Sequence, residues 1–90
     1  MSHIEIYTKK YCPYCHRAKA LLESKGARYE EFEVSNDEAL QQEMRTRSGR
    51  RTVPQVFIDN QHIGGSDDLE AANRSGYLNE LLGLGKVAAS

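Results

Sequence analysis

Apolar residues recur with two different spacings in the first third of the chain. Residues 4–8 alternate apolar and polar side chains at period two, which predicts a first strand. Residues 13–24 carry apolar side chains at helical spacing and predict a first helix. Pro13 suits the first position of that helix, where a missing N–H is no loss, and Gly26 ends it. Residues 29–34 predict a second strand, so a strand–helix–strand unit opens the chain.

Polar residues, glycine and proline divide the rest of the chain into shorter elements. A second, mostly polar helix runs from a cap at Asn36 or Asp37 to about Arg47. The later elements are a third strand over residues 53–59, a tight turn at Asn60-Gln61, a fourth strand that begins with His62 and Ile63, a helix that starts at the capping-box pattern from Asp67 to Glu70, and a last helical turn over residues 77–82.

The resulting order, β-α-β-α-β-β-α, predicts an α/β fold with one four-stranded mixed sheet. The crossover helix requires the first two strands to be parallel, and the tight turn requires the last two to be antiparallel. Helices on both faces of the sheet would cover its apolar side chains. We expect residues 1–90 to form one domain, in which a tail rich in small residues, about 83–90, is flexible.

Composition and charge narrow the classes of function. A hydrophobic fraction of 39% and a charged fraction of 28% are typical of a globular domain with one modest core. The formal net charge of −1 gives no reason to expect nucleic acid or a membrane as a partner. No stretch has the length of a membrane-spanning helix, and residues 1–5 lack the features of a signal peptide. We therefore expect a cytoplasmic protein, and we expect it to be a monomer.

The two cysteines occupy the most informative position in the chain. Cys12 and Cys15 enclose Pro13 and Tyr14, directly after the first strand and at the start of the first helix. A thiol there faces unpaired backbone N–H groups and the positive end of the helix dipole, and both favour the reactive thiolate. The second thiol lies one turn further on, so the pair can form and break a disulfide. Redox exchange is favoured over a structural disulfide, because so short a loop barely constrains the unfolded chain.

Two other chemistries would use the same cysteines. The segment from Cys12 to His16 also matches the C-x-x-C-H attachment pattern of c-type haem, with Met44 or His62 as formal axial ligands. The β-α-β setting and the lack of an export signal argue against haem. Zinc would need the cysteines together with histidines at positions 3, 16 and 62, but no second pair has metal-ligand spacing. We therefore predict no metal site.

Three further features could meet the cysteine pair at one end of the sheet. Pro54 begins the third strand and cannot donate to its ladder, and a cis peptide there would direct the polar main-chain groups of Val53 toward an extended peptide. Gly64-Gly65 precede a helix start, whose N–H groups can bind an anion. A basic cluster at the end of the second helix suits the helix dipole and could also attract anionic thiols; its members are Arg45, Arg47, Arg50 and Arg51.

Taken together, these motifs resemble those of glutaredoxins, most of all the small bacterial dithiol class. The likeness covers about residues 3–82 and rests on three segments: Ile6 to Lys9 with the following Cys-Pro-Tyr-Cys, Thr52 to Ile58, and His62 to Leu69. The resemblance implies a thioredoxin fold with a cis Pro54. It also implies reduction of protein disulfides and of glutathione mixed disulfides, with glutathione as the electron donor and no tightly bound cofactor.

The resemblance further assigns roles to individual residues. Cys12 would be the nucleophile and Cys15 the resolving thiol. Lys9 would pair with the glycyl carboxylate of glutathione, and the main chain of Val53 with its cysteine. Asp67 would take the ammonium group, and it could also cap its own helix. The whole implied glutathione groove is Lys9, Tyr14, Thr52, Val53, Pro54, Gly65, Ser66 and Asp67.

One residue departs from the pattern, and two alternatives stay open. Many relatives have a third cysteine where this chain has Ser66, so that accessory thiol is absent. Some relatives hold an iron–sulfur cluster between two subunits, usually with a Cys-Gly-Phe-Ser motif. Here Pro13 and Tyr14 fill the site and Cys15 offers an intramolecular disulfide, which favours the oxidoreductase. The other alternative is a thioredoxin-like protein that is reduced by a reductase enzyme rather than by glutathione. Tyr14 and the Gly-Gly-Ser-Asp segment argue against it.

Overall fold

The computed structural model of the chain describes residues 2–84. Its elements are β1 (Ile4–Thr8), α1 (Pro13–Ser24), β2 (Glu30–Glu33), α2 (Glu38–Ser48), β3 (Gln55–Ile58), β4 (Gln61–Gly64), α3 (Ser66–Ser75) and α4 (Tyr77–Leu81). No helix in that range is long and apolar enough to cross a membrane. Of the tail predicted to be flexible, residues 85–90 lie outside the described part, and the N–H of Leu84 donates to the carbonyl of Asn79 at 2.8 Å.

The four strands form one mixed sheet in the order β2-β1-β3-β4. β1 is parallel to β2 and antiparallel to β3, and β3 is antiparallel to β4. Tyr7 of β1 lies between Phe32 and Gln55 of the two neighbouring strands. The predicted fold class is therefore confirmed, and the carboxyl end of β1 feeds directly into the cysteine segment.

Alternation along β1 and β3 divides the core into two layers, one on each face of the sheet. The layer against α1, α3 and α4 consists of Ile4, Ile6, Ala18, Leu22, Val56, Ile58, Leu69 and Leu78. The layer against α2 consists of Tyr7, Val34, Met44 and Phe57. Each fully buried aliphatic side chain contributes about 1.5–3 kcal/mol of transfer free energy. Helices thus cover both faces, as the strand–helix order predicts.

Two strands are shorter than the sequence pattern suggests. β2 ends at Glu33, because the chain turns toward α2 after the N–H of Val34 has donated to the carbonyl of Thr8 at 2.8 Å. β3 begins only at Gln55, since Pro54 has no N–H to give to the ladder. The prediction of a strand over residues 53–59 was wrong at both ends.

The β3–β4 turn lies one residue earlier than predicted. Asp59 and Asn60 form it, with left-handed φ angles of 52° and 67°, and Gln61 already pairs with Ile58 as the first residue of β4. Two-residue hairpins with both central residues at positive φ match the twist of the strands, and aspartate and asparagine tolerate that conformation. The Asn60-Gln61 turn was therefore wrong by one position.

Arg47 joins α2 to the sheet. Its guanidinium lies 4.0 Å from the ring centroid of Phe57 and donates to the hydroxyl of Tyr7 at 2.8 Å and to a carboxylate oxygen of Glu5 at 2.9 Å. Burial raises the pKa of Tyr7 to about 12, so its hydroxyl stays neutral at physiological pH. The helix dipole alone does not explain this arginine, because it is a packed link between α2, β1 and β3.

Candidate active site

Cys12 is the N-cap of α1. Its backbone is extended, with φ −111° and ψ 103°, and Pro13 occupies the first helical turn. The Cys12 sulfur accepts the N–H of Cys15 at 3.2 Å. The partly exposed sulfur of Cys12 thus lies at the positive end of the helix dipole. This geometry suits Cys12 to attack an incoming disulfide.

Cys15 lies behind it, with only 1% of its surface exposed. Burial, followed by the hydrogen bond to Cys12, raises the pKa of the Cys15 thiol to about 12. At neutral pH it therefore keeps its proton. The Cys12 side chain contributes to this elevation, after burial.

A groove of about 460 Å³ lies beside the cysteines. The carbonyl oxygen of Val53, in its wall, is 4.0 Å from the Cys12 sulfur, so the groove leads to Cys12. All the groove residues implied by the resemblance line it except Lys9, which is exposed after β1. Three of its lining residues, Arg17, Arg50 and Asp68, are not among the groove residues that the resemblance implies. The lining consists of Tyr14, Arg17, Arg50, Thr52, Val53, Pro54, Gly65, Ser66, Asp67 and Asp68.

Two backbone features shape the wall around Pro54. The Val53–Pro54 peptide is cis, as the resemblance implies. A Cβ at Gly65 would lie 3.4 Å from the carbonyl oxygen of Pro54. The start of α3 and the proline loop are therefore packed at van der Waals distance, and the two segments form one continuous wall.

Gln55 and His62 stabilise this wall through hydrogen bonds. The buried Gln55 side chain donates to the carbonyl of Thr52 at 3.0 Å, and its amide oxygen lies 2.7 Å from Nε2 of His62. Burial, and then the positive charge of Arg50, lower the pKa of His62, so its ring is neutral and donates from Nε2. His62 is thus a structural support of the groove wall, and its Nε2 is already engaged by Gln55.

The start of α3 differs from the predicted capping pattern. The N-cap is Gly65, and its N–H donates to the carboxylate of Asp68 at 3.0 Å, where the sequence pattern had favoured Asp67 and Glu70. Arg50 donates to the same carboxylate at 2.9 Å, and these two contacts lower the pKa of Asp68. Asp67 is exposed and makes no side-chain hydrogen bond or ion pair within residues 2–84. Its carboxylate is therefore not committed to capping.

Ser66 supplies an unusual polar group at this helix start. The residue is only 6% exposed, and its buried hydroxyl oxygen finds no hydrogen-bond partner among the described residues. Buried polar groups are rarely left unpaired. The hydroxyl lies with the first N–H groups of α3, which have no partner inside the helix, so this end of the groove is suited to an anion.

The zinc alternative finds no support in the arrangement of donors. Within residues 2–84, the donor atoms close enough to share one ion belong to His3, Glu5 and Glu30. This group contains neither cysteine, and it includes one of the three histidines considered. The four-ligand set that the zinc alternative requires is therefore not assembled.

A partly exposed sulfur at a helix start and a buried, protonated thiol one turn behind it suit this groove to disulfide exchange. The fold and the site together define a thiol–disulfide oxidoreductase with the thioredoxin fold.

Comparison with known proteins agrees with this class of protein and identifies the family. The family profile of glutaredoxin matches residues 4–63. Glutaredoxin 3 of Escherichia coli strain K12 is 58% identical over 82 residues, which cover 91% of this chain and 99% of the relative. The solution structure of glutaredoxin from Brucella melitensis matches with a TM-score of 0.79 and 51% identity, over 89% of this chain and 87% of that one. A buckwheat glutaredoxin–glutathione complex matches with a TM-score of 0.81 and 39% identity, over 88% of this chain and 74% of that one. The chain belongs to the glutaredoxin family.

Proposed function

We propose that this protein uses glutathione as its electron donor and reduces both glutathione mixed disulfides and protein disulfides. The observation that carries the proposal is the unpaired hydroxyl of Ser66, buried at the start of α3 in a groove that leads to Cys12. A buried hydroxyl in that position favours a ligand whose anionic end binds at the start of α3 while its own sulfur reaches Cys12.

Glutathione fits the order of groups along the groove. Its γ-glutamyl carboxylate would meet the Ser66 hydroxyl and the free N–H groups of α3, and its ammonium the uncommitted carboxylate of Asp67. Its cysteine would pair with the main chain of Val53, whose carbonyl lies 4.0 Å from the Cys12 sulfur. Lys9, exposed at the end of β1, would take the glycyl carboxylate. The complex of the buckwheat relative with glutathione supports this assignment.

The reaction on a glutathione mixed disulfide needs Cys12 alone. The Cys12 thiolate attacks the glutathione sulfur, a new disulfide forms between them, and the substrate sulfur leaves as a thiolate that takes a proton. A second glutathione thiolate then attacks the glutathione sulfur bound to Cys12. This step forms glutathione disulfide and returns Cys12 as a thiolate.

Protein disulfides would use both cysteines. Cys12 attacks one substrate sulfur, and the other sulfur leaves as a thiolate and is protonated. Cys15 then loses its proton and attacks the Cys12 sulfur, which releases the reduced protein and leaves a Cys12–Cys15 disulfide. Two glutathione molecules reduce that disulfide. Because the groove and both thiols belong to one chain, we expect the protein to act as a monomer, in the reducing environment of the cytoplasm.

A pair of coupled assays tests the proposal. The substrate is the mixed disulfide of glutathione and 2-mercaptoethanol, with turnover followed either through glutathione and glutathione reductase or through thioredoxin reductase. We expect turnover with glutathione and little with thioredoxin reductase. The opposite result would show that the groove does not serve glutathione. Visible absorbance of the freshly purified protein would instead identify the cluster-binding alternative.

A further inference from the structure

Tyr11 is the most exposed large hydrophobic residue in residues 2–84, with 94% of its surface accessible. It directly precedes Cys12, and its backbone is left-handed, with φ 58°. A bulky residue rarely adopts this conformation, and such strained positions cluster at functional sites. The chain therefore holds an aromatic ring in solvent, in a costly conformation, next to its nucleophile.

Neither the fold nor the glutathione groove uses this ring. Tyr14 lines the groove and is 56% exposed, whereas Tyr11 is not among the lining residues. The Tyr11 hydroxyl makes no hydrogen bond within the described part of the chain. Lys9 and Lys10, which precede it, are both exposed. Because Lys9 would bind the glycyl carboxylate of glutathione, the surface next to Cys12 that glutathione would leave free consists of the Tyr11 ring and the Lys10 ammonium.

We propose that Tyr11 is a docking residue for polypeptide substrates, which packs against an apolar residue beside the target cysteine. The inference rests on the proposed reduction of protein disulfides. Tyrosine buries a large area at little conformational cost and is enriched among residues that dominate binding interfaces. Lys10 would favour acidic residues further along the substrate. Such a contact distinguishes polypeptides from small disulfides, which reach Cys12 without covering Tyr11.

The test compares two peptides and one small disulfide. Both peptides are closed by one disulfide and carry glutamates; one has Phe beside each cysteine and the other has Ser. The small disulfide is the mixed disulfide of glutathione and 2-mercaptoethanol. Pre-reduced protein is mixed with each substrate in a single turnover, which needs no added glutathione. The half-saturating concentration and the limiting rate are read separately. The variants are Tyr11→Ala, Tyr11→Gly, Tyr11→Phe and, as a control at another exposed tyrosine, Tyr77→Ala.

With Tyr11→Ala and Tyr11→Gly, the half-saturating concentration of the Phe peptide should rise about 5- to 30-fold at an unchanged limiting rate. Reaction of the small disulfide should not change, Tyr11→Phe should restore docking, and Tyr77→Ala should behave as wild type. Tyr11→Gly suits the left-handed backbone, so it separates loss of the ring from loss of stability. Equal loss on peptide and small disulfide, or no loss on the Phe peptide, would overturn the inference. Failure of glutathione as donor would appear only in the multiple-turnover assays above.

Discussion

Asp67 and Asp68 are neighbours in the first turn of α3, yet their replacement by alanine should have different consequences. Asp68 accepts the N–H of Gly65 at 3.0 Å and a hydrogen bond from Arg50 at 2.9 Å. Loss of a cap costs about 1 kcal/mol, and the ion pair adds at most about 1 kcal/mol because both side chains are roughly half exposed. Asp68→Ala should therefore lower the free energy of unfolding by about 1–2 kcal/mol, at about 4–8 °C of melting temperature per kcal/mol.

Asp67→Ala should instead act on glutathione use. Its side chain makes no polar contact within residues 2–84, so stability should fall only by the dipole contribution of about 0.3–1 kcal/mol. A charge-assisted hydrogen bond to the ammonium of glutathione contributes about 1.5–3 kcal/mol where it is well desolvated. The KM for glutathione should then rise about 10- to 150-fold, because every 1.4 kcal/mol is a factor of ten.

Urea unfolding and the glutathione dependence of turnover, measured on the same two variants, separate these effects. Each variant serves as the control for the other, since both remove one carboxylate from the same turn. If Asp67→Ala lowered the unfolding midpoint as far as Asp68→Ala does and left glutathione dependence unchanged, the assignment of the groove's ammonium site would be refuted.

Four further outcomes are expected. Iodoacetamide at mildly acidic pH should label Cys12 before Cys15, whose pKa of about 12 keeps it protonated; peptide mapping that found Cys15 labelled first would reverse their roles. Cys15→Ser should retain turnover of glutathione mixed disulfides and lose much of its activity on protein disulfides, because a resolving thiol already in place acts at high effective concentration; an equal loss in both assays would contradict this division. Gly64→Ala should destabilise the fold by about 1–3 kcal/mol more than Gly26→Ala in urea unfolding. A Cβ at Gly64 would meet the Asp68 carboxylate at 2.2 Å, whereas at Gly26 nothing lies within 4 Å; equal unfolding midpoints would count against this expectation. Because the pKa of Asp68 is lowered in the folded state, its stabilisation is fully present above the ordinary carboxyl pKa of about 4 and is lost as the pH falls through the folded value. The difference in unfolding free energy between wild type and Asp68→Ala should therefore shrink in acid, and a difference that widened would refute the direction of this pKa shift.

Tertiary structure decided where several side chains act, because their partners are distant in sequence. Arg47 looked like a cation at the end of a helix, but its guanidinium packs on Phe57 and binds Glu5 of another strand. Arg50 pairs with Asp68 across eighteen positions, a contact that no local pattern signals. Local rules also allowed more than one register: capping preferences fitted Asp67, whereas in the fold Gly65 is the N-cap and its partner Asp68 also binds the distant Arg50.

The sequence by itself determined what depends on near neighbours. Period-two alternation and helical spacing specified the order of strands and helices, and the strand–helix crossover with the hairpin specified a mixed sheet. Cys12 and Cys15 are one helical turn apart in any helix that starts at Pro13, so their proximity followed from spacing alone. Burial was different: the raised pKa of Cys15, the unpaired hydroxyl of Ser66 and the exposure of Tyr11 depend on how distant segments pack around them. Solvent access is a property of the assembled fold, and for this reason the exposure and burial of the site residues could be determined only from the three-dimensional structure.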